Sequence, residues 1–165
     1  MKLVETMTET VRYIDRTRAY YRALGYPSDY VWARFDEVPF APLSRPLSQA
    51  RIGLVTTASP PDLGNRDSAG KRQVWSGPVS PAPATLFTAN VAWDKESTHT
   101  DDRASFLPIE AMQERVAEGT VGDLATRFHG VPTEYSQRKT MEIDAPQVLE
   151  RLRADGADVA LLSPL

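Results

Sequence analysis

The chain contains no cysteine. That excludes disulfides, thiolate nucleophiles, cysteine-bound zinc and cysteine-held iron–sulfur clusters within it, and it fits a reducing compartment. A basic surplus is also missing: 19 Lys and Arg stand against 22 Asp and Glu, for a net charge of -3. Neither a nucleic-acid partner nor a membrane-surface anchor is therefore indicated. No apolar run nears the length of a bilayer span, and Met1-Lys2-Leu3-Val4-Glu5 meets charge before any signal-peptide core forms. A cytoplasmic protein is expected. Glycine-rich phosphate loops of the GxGxxG or Walker type are absent, so nucleotide binding has no support. What is present is ordinary: 165 residues, 41% hydrophobic and 25% charged, fit one globular domain. Thirteen prolines outnumber nine glycines, which favours extended connections.

Val4, Met7, Val11, Ile14 and Tyr21 fall at helical spacing, and the reading is an amphipathic helix over 3–24 with Gly25 as its stop. Its stripe serves equally for packing on its own domain or as a dimer seam. Residues 26–46 are irregular. Arg51 to Ala58 is a short β-branched run ending in small polar residues, the pattern of a buried parallel strand feeding a loop. Residues 59–85 form a proline-rich excursion, and Leu86–Trp93 reads as a second strand. Pro108 opens a helix closed by Gly119, Val121–Phe128 holds another short strand, and His129-Gly130-Val131-Pro132 breaks it. Asp144-Ala145-Pro146-Gln147 has the capping-box spacing at the start of a last helix, and Ala157–Leu162 is a further buried strand. The expected fold is a three-layer α/β domain with a mostly parallel sheet, in which 51–57 and 157–162 are neighbouring or near-neighbouring parallel strands, plus the N-terminal helix. Residues 1–39 are read as a helical arm and linker, and 40–165 as the α/β domain.

Ligands of such sheets gather beyond the carboxyl ends of the strands. Three polar segments are candidates there. Thr56 and Thr57 either satisfy loop amides or hold a carboxylate or phosphate. His99 with Asp101 and Asp102 reads as a base oriented by an acid, as part of an oxygen/nitrogen metal site, or as an exposed polar loop. With one histidine, a complete local metal site is disfavoured, and no metal is assigned. Arg127 and His129 suit an anion and Tyr135, Ser136 and Gln137 supply hydrogen bonds, unless the stretch is a plain surface turn. A Ser136–His129–Asp101 triad lacks the GxSxG elbow and carries little weight.

Several strings, in order, resemble the glycine/sarcosine/betaine/D-proline reductase selenoprotein B family. They are Phe40-Ala41-Pro42-Leu43-Ser44-Arg45-Pro46-Leu47, Ile52-Gly53-Leu54-Val55-Thr56-Thr57-Ala58, His99-Thr100-Asp101-Asp102-Arg103-Ala104-Ser105-Phe106-Leu107-Pro108, Arg115-Val116-Ala117-Glu118-Gly119, Gly130-Val131-Pro132-Thr133-Glu134-Tyr135-Ser136-Gln137-Arg138 and Asp155-Gly156-Ala157-Asp158-Val159-Ala160-Leu161-Leu162. The resemblance covers about 40–165 and leaves the N-terminal helix outside. It implies reductive cleavage of a carbon–nitrogen bond in a small amino acid or N-methylated derivative. It also implies a Cys-Pro-x-Cys-His type motif, with selenocysteine in the reductases, where this chain reaches Leu165.

The expectation is therefore a substrate-binding subunit or fragment of such an oxidoreductase. Its catalytic candidates are His99, Asp101 and His129, and its substrate-binding candidates are Thr56, Thr57, Asp102, Arg127, Tyr135 and Gln137. The redox centre, a cysteine, selenocysteine or pyruvoyl group, is expected on a partner chain, through a split gene or backbone cleavage. A second polypeptide or another copy is expected to cover the C-terminal strand. The alternatives are a non-catalytic assembly subunit and a metal-assisted hydrolase or lyase using His99 and Asp101.

Overall fold

A computed structural model describes residues 10–29, 34–39, 41–89, 100–133 and 136–165. The chain divides into two units, 1–39 and 40–165. In the first, helix α1 (Tyr13–Ala23) ends where Gly25 turns at φ +86°, a conformation that only glycine adopts without strain. Arg22 then forks onto Asp29 at 2.8 and 2.6 Å. None of the described residues of this unit is buried. Of the expected apolar stripe, Ile14 is half-buried, Val11 and Tyr21 are exposed, and Val4 and Met7 lie outside the described residues.

The second unit is built on a mixed five-stranded sheet. Strand β1 (Arg51–Thr56) is its centre, buried at five of six positions. Strand β5 (Val159–Ser163) pairs parallel along one edge of β1, from Ile52↔Val159 to Thr56↔Ser163. Along the other edge lie β3 (Asp123–Leu124) and β4 (Arg127–Gly130), both parallel to β1 and together one segment interrupted at Ala125–Thr126. Strand β2 (Trp75–Pro78) pairs antiparallel with β4.

Alternation along β1 divides the core. Ile52 and Leu54 face a cluster with Phe106, Leu107, Ile109, Val121 and Phe128, against which Met112 and Val116 of helix α2 (Ile109–Ala117) pack. Val55 faces the opposite cluster, with Val74 and with Val148 and Leu152 of helix α4 (Ala145–Ala154). One helix therefore covers each face, an α/β arrangement. Gly53 is fixed by this packing, because a Cβ there would collide with the Leu152 side chain.

Four expectations change. Leu86–Trp93 is not a strand where it is described: Phe87 makes only an isolated bridge to Ser59. The second strand is instead β2, inside the proline-rich excursion. His129 and Gly130 continue β4 rather than break it. Asp144 caps nothing, because helix α3 (Gln137–Lys139) and a π-helical turn (Thr140–Asp144) run directly into α4. Its buried carboxylate instead takes Lys139 Nζ at 3.0 and 3.2 Å. Finally, β1 and β5 are neighbouring parallel strands as expected, yet β5 is not mostly buried. Val159 and Leu161 are half-buried, and Ala160 and Leu162 are exposed. Leu161→Ala is accordingly expected to cost only about 1 kcal/mol in urea unfolding, the value of partial burial. A loss of the size seen at fully buried leucines would mean that Leu161 is sealed in solution.

Candidate functional site

Two arrangements flank α4. The first is a groove of about 340 Å³ at the carboxyl end of β1, running between α4 and β5. Val55, Val148, Leu149, Leu152, Ala160 and Leu162 make most of its walls. Its polar side chains are the hydroxyls of Thr56, Thr57 and Thr140. Thr57 Oγ1 already accepts a bond from the Leu165 amide at 2.8 Å, and Thr56 Oγ1 accepts from Ala58 N at 3.4 Å. A zwitterionic amino acid would lose its hydration here without replacement. The groove suits apolar side chains.

The second arrangement is a half-buried polar chain under α4, centred on the fully buried His129. Register places Ser76 of β2 opposite His129 of β4, on the same face of the sheet. Ser76 Oγ lies 2.8 Å from His129 Nδ1, and His129 Nε2 lies 3.0 Å from Asp155 Oδ2. Asp155, at the C-terminus of α4, also takes Arg127 through Nη2 at 2.6 Å and Nε at 3.0 Å. Arg151 Nη1 donates to Ser76 Oγ at 2.9 Å. A carboxylate only accepts, so the neutral ring carries its proton on Nε2 and donates it to Asp155. Nδ1 then accepts from the Ser76 hydroxyl, whose oxygen accepts from Arg151. Burial pushes His129 below its ordinary value near 6.5; Asp155 opposes this, and Arg127 and Arg151 reinforce it.

These are the residue types of a nucleophilic triad, but His129 is fully buried and both ring nitrogens are taken. The chain acts as a clamp that fastens α4 to β2 and β4. The amino edge of the sheet is closed in the same manner. Arg51 donates through Nε to Asp123 at 2.9 Å and through Nη1 to the Asp155 carbonyl at 3.2 Å, while its amide donates to Asp158 at 2.9 Å.

The other sequence candidates are dispersed. Thr56 and Thr57 line the groove, and Arg127 and His129 belong to the clamp. Asp101 and Asp102 are exposed, and Asp102 caps a short 3₁₀ turn by accepting from Ala104 N at 3.0 Å. Gln137 is exposed at the start of α3. His99 and Tyr135 lie outside the described residues. The triad of Ser136, His129 and Asp101 does not form, since Ser76 and Asp155 hold the two ring nitrogens. Among the described residues, no group of three His, Asp or Glu is placed to hold a metal ion. No described helix is long and apolar enough to cross a membrane.

The chain is 29% identical over 146 residues to the glycine reductase complex component B subunit gamma of Symbiobacterium thermophilum, covering 84% of this chain and 34% of that one. The protein of the same name from Carboxydothermus hydrogenoformans is 27% identical over 160 residues, 92% of this chain and 36% of the relative. The chain is distantly related to the glycine reductase family. It spans about a third of the length of these curated relatives. No family model and no solved structure matches it.

Sequence reasoning missed Ser76, Arg151 and Asp155. Only the register of β2 on β4 brings Ser76 to His129, and β2 carries no alternating signal that announces it.

Proposed function

We propose that the chain is a subunit or fragment of a glycine-reductase-like complex that helps to shape the pocket for a small amino acid or an N-methylated derivative. The redox centre, whether cysteine, selenocysteine or pyruvoyl, lies on another polypeptide in this reading. The relation to two complex subunits over most of this chain carries the proposal. The α/β unit over 40–165 is the working part, and 1–39 is an arm and linker. Substrate contacts are assigned to His99, Asp101 and Asp102 and to Tyr135 and Gln137. Thr56 and Thr57 support the carboxyl end of β1. His99 is the proposed proton-handling group, with Asp101 orienting it. Arg127 and His129 are positioning residues, because their polar atoms hold α4 in place.

A non-catalytic assembly role is the second reading, favoured by the apolar groove and by the burial of His129. Tagging the chain in its native host and identifying what co-purifies separates the two. A partner bearing cysteine or selenocysteine is expected, together with calorimetric binding of glycine or sarcosine to the pair and its loss in His99→Ala. A pair that binds neither compound leaves only the assembly role.

A further inference from the structure

We propose that the outer edge of β5 is a strand-acceptor site. An extended segment of the partner polypeptide pairs with it and sets an apolar side chain into the groove between α4 and β5. This rests on the reading of the chain as part of a multi-chain complex.

The two edges of the sheet differ. Strand β2, at one edge, is four residues long and ends in Pro78, which has no amide to offer an incoming strand. Strand β5 bonds only to β1 among the described residues, so its outer row of amides and carbonyls is open. Its sequence, Val159-Ala160-Leu161-Leu162-Ser163, contains no proline and no charge. Isolated edges are usually blunted by lysine, proline or a bulge. An unguarded apolar edge is a hazard unless something is built to cover it.

The faces of β5 point the same way. Val159 and Leu161 pack against the α2-side core. On the α4 side, Leu152 lies over Gly53 of β1 and leaves the outer residues of β5 uncovered. Ala160 therefore stays exposed, Leu162 is 66% exposed, and Leu149 on the flank of α4 is 47% exposed. These residues border the groove, which is open to one further layer of polypeptide. Strand addition meets both needs: main-chain bonds satisfy the edge, and alternate side chains fill the groove.

The relatives supply the reason to choose a different polypeptide over a second copy. About two thirds of each relative lies beyond the matched third, so polypeptide of another sequence accompanies this unit in them.

The test compares wild type with Leu162→Asp and Leu149→Lys, using complexes captured on the tagged full chain. Both positions are exposed enough for the isolated variants to keep wild-type circular dichroism and melting. Each is expected to weaken partner retention about ten-fold or more, whereas Tyr20→Asp on α1 leaves it unchanged. The outward-facing amides within 159–163 should exchange rapidly in the isolated chain and slowly in the complex, whereas those bonded to β1 are protected in both. Undiminished retention by both variants, unchanged exchange of 159–163, or sedimentation as a β5-dependent homodimer overturns the proposal. The fate of the functional reading is separate: a β5-bound partner without cysteine or selenocysteine defeats that reading and leaves the docking site standing. A cysteine-bearing partner retained by both variants does the reverse.

Discussion

His129→Ala is expected to lower the unfolding free energy by about 3–5 kcal/mol, measured by urea denaturation at pH 7.5. Two costs combine. Removing a fully buried ring leaves a cavity whose walls are held by the sheet and by α4. The Asp155 carboxylate and the half-buried Ser76 hydroxyl each lose a partner. His129→Gln keeps a donor and most of the volume, so it should cost markedly less. The same pair of proteins tests the sign of the pH dependence. The folded chain holds the ring neutral, with a value below the unfolded one near 6.5. Unfolded protein therefore binds the extra proton first as pH falls, and stability declines from about 6.5 downward. Asp155, Arg127, Arg151 and Ser76 are the groups that face the ring, and all remain in His129→Gln. The glutamine variant should lose the decline that begins near 6.5, while retaining any acid loss due to carboxylates. Parallel melting curves for both proteins between pH 7.5 and 5 would show that His129 is not held neutral.

The residues explain which parts of this architecture were readable. β1 was legible because its apolar run is buried on both faces, which no other local structure of that length explains as well. The same rule gave β5 its correct place beside β1 and the wrong burial. A run such as Val159–Ser163 registers that two faces want cover, without saying whether the cover belongs to the same chain. Trp75–Pro78 escaped because a glycine and a proline dominate four residues, and its strand character comes wholly from pairing with β4. The clamp was hidden by distance along the chain. Ser76 is 53 residues from His129, Asp155 is 26 from it, and Arg151 is 75 from Ser76. Asp155 lies at the C-terminus of α4, where an acid is electrostatically disfavoured by the helix dipole. That local misfit was a usable sign that the carboxylate answers to something else, and two partners, Arg127 and His129, supply the compensation.

Gly130→Ala should show how firmly the carboxyl end of β4 is built, with a loss at or above the upper end of the ~1–3 kcal/mol typical of overpacking. Gly130 pairs with Thr56 on one side and Trp75 on the other. A Cβ at this position would enter the indole ring of Trp75. The ring has little room to yield. Its Nε1 donates to the Ala58 carbonyl at 3.0 Å, and Phe128 meets it edge-on with centroids 5.3 Å apart. Moving it would strand that carbonyl, disturb the fully buried Phe128 and pull β2 out of register, taking Ser76 away from His129. Trp75→Ala removes the part of the indole next to Cβ that collides, so the double variant should be less destabilised than the sum of the two single changes. Additive losses would place the strain elsewhere, most directly in the β1–β4 pairing, and would remove Trp75 as the reason that residue 130 is glycine.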